Sequence, residues 1–205
     1  FIHLSALGIN EATDSEYAKS KLEGEERILK NFPLATIIRP SIVYSVDDNF
    51  TTNFMKLLSI LPFMPLYYSG KTKFTPIHVS DFTDIILNIV QKKITGEIIE
   101  CIGPEVFSFK EILLKILQSI NKKRILFPLP LSLAKINARL FELMPNPLFT
   151  LDQLKLLKYD NIVSGNYKTN FDLNMQANKK FEDEIARYSY NWTNGGQYSK
   201  KNNKI

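Results

Sequence analysis

Cysteine is nearly missing from this chain of 205 residues. The single Cys101 sits in an apolar, strand-like run, which excludes a disulfide framework and fits a reducing compartment. Histidine is scarce too: His3 and His78, with one cysteine, supply no metal-binding constellation. The 8 glycines stand at 8, 24, 70, 96, 103, 165, 195 and 196, and no G-x-G-x-x-G or G-x-x-G-x-x-G can be built from them. A Gly-rich loop that cradles a dinucleotide pyrophosphate is therefore not encoded between residues 1 and 205. Long apolar runs are lacking as well. The longest, Leu57 to Tyr68, contains two prolines and is too short to span a bilayer.

Charge is present but divided. Residues 1–100 carry 10 Lys and Arg against 12 Asp and Glu, whereas residues 101–205 carry 16 against 9. Nucleic-acid binding requires clustered arginine and stacking aromatics on one face. That pattern is missing, so nucleic acid is not an expected partner. From Lys115 to Arg139 there are six basic residues and no acidic one, interleaved with Leu126, Phe127, Leu129, Leu131, Leu133 and Ile136. Such a stretch suits an anionic membrane surface or an acidic partner, and equally a core-facing helix with a lysine-covered outside.

What the chain does have is a Tyr-x-x-x-Lys pair, Tyr17 and Lys21, one helical turn apart on one face. Tyr67 and Lys71 share that spacing, but they span Gly70 and follow Pro65, which reads as a turn. Ahead of Tyr17, Thr13-Asp-Ser-Glu16 has the form of a capping box. Leu22, Ile28, Leu29 and Phe32 supply a buried stripe, interrupted by Glu25 and Glu26. Phe1 to Leu7 reads as a buried strand ending near Ser5, giving the order strand, Ser, loop, Tyr-x-x-x-Lys helix. A free phenol titrates near ~10, so acting as a base at neutral pH needs a shift of ~3 units. A neighbouring ammonium supplies part of that shift. The bland alternative is a half-buried Tyr17 beside a solvated Lys21.

The next strand, Ala35-Thr-Ile-Ile-Arg-Pro-Ser-Ile-Val-Tyr44, is β-branched enough for a buried parallel sheet, with Pro40 breaking the ladder at its carboxyl end. Ligands of open α/β sheets bind beyond those ends. Ser5, Tyr17-x-x-x-Lys21 and Arg39-Pro-Ser-Ile-Val-Tyr44, in this order, resemble the extended or atypical short-chain dehydrogenase/reductase superfamily, which includes the NAD-dependent epimerases and dehydratases. The resemblance implies an α/β fold: the C-terminal part of a Rossmann-type doubly wound parallel sheet with a smaller mixed α/β second lobe. It implies NAD or NADP as cofactor, with Pro40, Ser41, Ile42 and Val43 lying against the nicotinamide. It also implies Tyr17 as general acid/base, Lys21 as its electrostatic activator and ribose ligand, and Ser5 as the substrate-orienting hydroxyl. The Gly-rich half of the family's nucleotide domain is expected upstream of residue 1.

Later segments continue the pattern. Phe50 to Leu61 reads as a helix, and Phe74 to Asp81 as a short strand entering a helix capped by Ser80 or Asp81. The buried face of that helix is Phe82, Ile85, Ile86, Ile89 and Val90. His78 reads as a hydrogen-bonded structural residue. Gly96 to Gly103 is a further strand, and Ser108 with Glu111 forms a capping box before Ile112, Leu113, Ile116, Leu117 and Ile120. Phe149 to Ser164 resembles a segment of one branch, the NAD(P)H-binding accessory subunits of respiratory complex I and their bacterial relatives. Residues 1–45 are expected to end the nucleotide-binding domain, and 46–190 to form the smaller lobe, with some elements returning to the sheet. Residues 191–205 read as a polar, disordered tail.

The resemblance implies an accessory or assembly component of an NADH:quinone oxidoreductase, with respiratory-complex subunits or the membrane surface as partners. The corresponding location is cytoplasmic, peripheral on the inner membrane's cytoplasmic face, or the matrix side in a eukaryote. The alternative is an active NAD(P)-dependent epimerase, dehydratase or reductase on a nucleotide sugar or similar small molecule.

Overall fold

The computed structural model describes residues 1–134 and 150–198. Its strands are β1 (Ile2–Leu4), β2 (Thr36–Pro40), β3 (Val43–Tyr44), β4 (Phe63–Leu66), β5 (Lys73–Phe74), β6 (Ile77–His78), β7 (Ile98–Cys101), β8 (Phe107–Ser108), β9 (Ile125–Pro128) and β10 (Lys168–Thr169). The helices are α1 (Glu16–Asn31), α2 (Thr51–Ile60), α3 (Val79–Gln91), α4 (Phe109–Ser119), α5 (Leu151–Leu156) and α6 (Phe181–Ser189).

The main sheet is all parallel, in the order β1-β2-β7-β10. This is the α/β architecture expected, and two late segments, β7 and β10, complete a sheet begun by β1 and β2. One face of it is apolar: Ile38, Ile99 and Cys101 pack against Phe82, Ile85 and Ile89 of α3. The opposite face carries charge. Arg39 and Glu100, paired in register on β2 and β7, are both buried there.

Expectations about two helices, α1 and α3, fail in part. The expected stripe of α1 is not fully buried: Leu22, Ile28 and Leu29 are half-buried and Phe32 is exposed, whereas Glu25, expected to interrupt it, is buried with Ala18. Its carboxylate accepts Arg39 Nε at 2.9 Å and Nη2 at 2.6 Å. On α3, Val90 faces solvent, and the cap is neither Ser80 nor Asp81 but His78, whose Nδ1 accepts the Ser80 amide at 3.2 Å. The Asp81 carboxylate instead accepts the Lys179 amide at 2.8 Å. The α4 prediction holds in detail: the Ser108–Glu111 box closes, and Ile112, Leu113, Ile116, Leu117 and Ile120 are all buried.

The second lobe packs α2, α4 and α6 around Tyr44, Phe74, Phe107 and Trp192. Trp192 belongs to this core, so packed structure continues past residue 191, where a polar tail was expected; residues 199–205 lie outside the described part. β4 and β9 form a separate parallel ribbon. The basic stretch is partly engaged in the fold. Arg124 donates to the carbonyls of Leu58 and Ser59 at the end of α2, Lys122 to Asn194, and Lys115 pairs with Glu182. Its last residues, including Ile136 and Arg139, lie outside the described part, as does Phe149.

Candidate functional site

β1 ends at Leu4, and the chain turns immediately into the region where the expected site residues gather. The Ser5 amide continues the ladder to Ile38 O (2.8 Å), and the Leu7 amide reaches Pro40 O (2.9 Å), which binds the ends of β1 and β2 together. The Ser5 hydroxyl is buried and, like His3 Nε2 on β1, has no hydrogen-bond partner among the described residues. A buried polar atom without a protein partner costs stability unless a water or a ligand group meets it.

Helix α1 carries the other two groups. Lys21 Nζ donates to Leu4 O at 3.3 Å, one residue before Ser5, and lies 5.8 Å from the centre of the Tyr17 ring. Tyr17 is half-exposed, and its partial burial pushes the phenol up from the ordinary tyrosine range. Tyr17 is therefore a protonated phenol at neutral pH, able to donate a hydrogen bond.

The turn after β2 is mostly occupied by bonds within the protein. Pro40 O accepts Leu7 N, Ser41 N donates to Cys101 O, and Ile42 O accepts Ile77 N. Val43 pairs with Ile77 in the β3–β6 ladder. The Ser41 hydroxyl donates to Asn161 Oδ1 at 2.6 Å and accepts the Thr75 amide at 3.2 Å. This turn can present a wall to a ligand, but the Ser41 side chain is already satisfied.

Sequence reading missed the residues that lock these parts in place. Asn161 joins both strand ends: besides Ser41, its Nδ2 donates to Leu7 O at 2.7 Å. Gly8, at φ +77°, permits the approach, since a Cβ there would sit 2.9 Å from Asp160 O. Asp152 sits at the start of α1, receiving Glu16 N at 2.9 Å, Tyr17 N at 3.0 Å and Ser15 Oγ at 2.9 Å. The expected Thr13–Glu16 box is not formed; the cap is Ser15. No local signal could reveal partners more than a hundred residues away. Glu25 was detectable in principle, as a charge inside an apolar stripe facing a strand that carries Arg39.

Beside this group lies a cleft of about 370 Å³ lined by Gly8, Glu11, Arg39, Glu100, Lys158 and Ser164 among others. Its buried charges are already matched: Arg39 holds Glu25 and stacks on Tyr167, and Glu100 accepts the Ser164 amide and hydroxyl. Among the described residues no cluster of His, Cys, Asp or Glu could hold a metal. No described helix is long and apolar enough to cross a membrane.

Comparison with known proteins agrees with the fold. A protein from Dictyostelium discoideum named NADH dehydrogenase [ubiquinone] 1 alpha subcomplex subunit 9, mitochondrial, is 30% identical over 193 residues, 92% of this chain and 54% of its own length. A ceramide reductase from Caulobacter vibrioides is 35% identical over 81 residues, 40% of this chain and 25% of the reductase. The structure of a UDP-glucuronic acid 4-epimerase from Bacillus cereus superposes with a TM-score of 0.61 at 18% identity, covering 92% of this chain and 60% of the epimerase. The chain spans about half the length of the curated relatives that match most of it. The RmlD substrate binding domain family matches residues 11–134, well over half of the sequence, and the chain belongs to that family, within the extended short-chain dehydrogenase/reductase superfamily.

Proposed function

We propose that this chain is the later part of a protein that holds NAD(H) or NADP(H) as an accessory or assembly component of an NADH:quinone oxidoreductase. The observation that carries the reading is the reach of the similarity. The relative named as an NADH dehydrogenase subunit aligns with 92% of the chain, the nucleotide side and second lobe alike, whereas the reductase aligns with only 40%.

The side chains fit the nicotinamide-ribose end of a dinucleotide. Lys21 spends one donor on Leu4 O and keeps others for ribose hydroxyls. The orphaned Ser5 hydroxyl gains a partner when a polar ligand group enters. Pro40, Ser41, Ile42 and Val43 supply the wall. When bound, the dinucleotide supplies hydride chemistry at its nicotinamide ring. With its phenol protonated, Tyr17 can donate a hydrogen bond to a ligand oxygen.

The protein's location follows as peripheral, on the cytoplasmic face of the inner membrane or its matrix counterpart. Residues 49–80 and 112–141 contain no Asp or Glu. The β4–β9 ribbon joins these segments, and Ile60, Phe63 and Ile125 are exposed there together with Lys56 and Lys123. This apolar, cationic face suits a respiratory-complex subunit or an anionic membrane surface. Lys56→Glu with Lys123→Glu should release the full-length protein from membranes, and added salt should do the same. Arg124 must stay in place in that experiment because it caps α2.

The second reading, an active NAD(P)-dependent epimerase, dehydratase or reductase, is favoured by the half-exposed, reachable Tyr17. A turnover assay across nucleotide sugars and carbonyl compounds separates the two. The accessory reading expects no robust turnover and co-isolation with respiratory NADH dehydrogenase. Robust activity that disappears in Tyr17→Phe overturns it.

A further inference from the structure

We propose that Asp152 is the positioning residue of the Tyr17–Lys21 pair: reaching α1 from a distant part of the chain, its carboxylate fixes where that helix begins and so where both side chains stand. The inference rests on the dinucleotide-holding function proposed above and adds the residue that sets the geometry of that site.

The first four amides of a helix have no partner inside it. In α1 the Glu16 amide goes to Asp152 Oδ1 at 2.9 Å and the Tyr17 amide to Asp152 Oδ2 at 3.0 Å. The Ala18 amide goes to Ser15 Oγ at 3.3 Å and the Ser15 amide to Ala12 O at 3.0 Å, while the Lys19 amide makes the first ordinary helical bond, to Ser15 O at 3.1 Å. Asp152 also orients the cap itself, because Ser15 Oγ donates to Oδ2 at 2.9 Å. A capping box needs Glu or Gln three residues after the cap, and here that position is Ala18, which cannot reach back. Asp152, from outside the helix, instead accepts the two amides that follow the cap. A carboxylate at a helix start is also favoured by the helix dipole.

The platform that carries Asp152 is itself held. Helix α5 has a complete Thr150–Gln153 capping box, Leu154 is buried against Tyr67 and Ala134, and Thr72 bonds Leu157 O at the helix end. One of the Asp152 contacts is the amide of Tyr17. A shift of the carboxylate therefore moves the Tyr17 backbone directly, and Lys21 one turn later. Other charges are close by: Lys155 Nζ lies 3.9 Å from Asp152 Oδ1, and Glu16 pairs with Lys19.

The test uses the full-length natural protein titrated with NADH and with NADPH, at temperatures where every variant is folded. Asp152→Ala should weaken the tighter nucleotide by roughly three- to ten-fold, the scale of one lost cap contact. Asp152→Asn, which keeps an acceptor, should recover part of the loss and serves if the alanine variant does not fold. The decisive arm is the Lys21→Ala background: since Asp152 acts through α1, its replacement there should change affinity by less than about two-fold. Equal losses in both backgrounds, or a lowered melting temperature with unchanged affinity, overturn the inference. Wild-type protein that binds neither nucleotide overturns the holding function and this inference together. Tight binding by the wild type, unaltered in both Asp152 variants, overturns this inference alone.

Discussion

Ser5 Oγ is buried and, like His3 Nε2, has no hydrogen-bond partner among the described residues, so a ligand-holding role for it can be tested by removing the hydroxyl. Ser5→Ala should leave the unliganded protein as stable as before or stabilise it by about 1 kcal/mol, because an unsatisfied buried group is removed. The same variant should bind nucleotide more weakly. A melting curve beside a binding isotherm checks both signs at once. Glu25 and Arg39 behave in the opposite way, as a buried ion pair with each side chain only 5% exposed. Arg39→Met should destabilise by roughly 3–5 kcal/mol by stranding the carboxylate, whereas Arg39→Met with Glu25→Leu should be close to neutral. Denaturant titrations of the two variants decide it. The sequence flagged Ser5, Tyr17, Lys21 and Arg39 because they stand in one ordered motif. It hid the roles of Glu25, Asp152 and Asn161, since each is defined by a partner on another element.

At the level of elements, legibility follows the range of the stabilising contacts. Helix α4 was readable in detail because its cap, Ser108 with Glu111, and its apolar period lie within one short stretch. Helix α1 was readable as a helix but not in how it starts, where Ser15 caps it and Asp152 of α5 accepts two further amides. The start of α3 was misread because an imidazole took the place of a hydroxyl or carboxylate. That cap should make the fold sensitive to pH. Burial pushes His78 below the ordinary histidine range, with Lys179 adding to the shift and Glu184 opposing it. A histidine depressed in the folded state contributes stability that is complete above its unfolded value of about 6.5 and is lost as pH falls through the lower folded value. Protonation also converts the Nδ1 acceptor into a donor, ending the cap to Ser80. Unfolding free energy measured between pH 7.5 and 5 should therefore fall for the wild type and stay flatter for His78→Asn, which can still cap. Parallel curves for the two proteins would remove His78 as the cause. The Asp152 carboxyl gives a second, more acidic window. Burial pushes it up, but hydrogen bonds from Tyr17, Glu16 and Ser15 outweigh this and hold it below the ordinary aspartate range. Its contribution is present above about 3.9 and disappears as pH falls through the lower folded value.

Across the whole molecule, the fold assembles one parallel sheet from segments at both ends of the chain, and that arrangement explains what the sequence could and could not reveal. β2 was recognisable from its β-branched run, and β1 as a strand though it is less buried than expected, whereas the two-residue β10 has too little pattern to be read and joins the sheet by pairing with β7. On the proposed reading the sheet and α1 would supply the nicotinamide-ribose end of a dinucleotide site, and no phosphate-cradling glycine motif is encoded in residues 1–205. Residues 1–205 in isolation should accordingly bind NADH or NADPH weakly, well below the affinity of the full-length natural protein; calorimetry on both makes the comparison. The central claim is that the full-length protein is built to hold a dinucleotide. The most direct measurement is to denature purified full-length protein and identify what it releases by mass spectrometry, alongside the Lys21→Ala variant. The wild type should release close to one equivalent of NAD(H) or NADP(H), and Lys21→Ala should release clearly less. A wild-type protein that releases none, and takes up none when titrated to millimolar nucleotide, would contradict it.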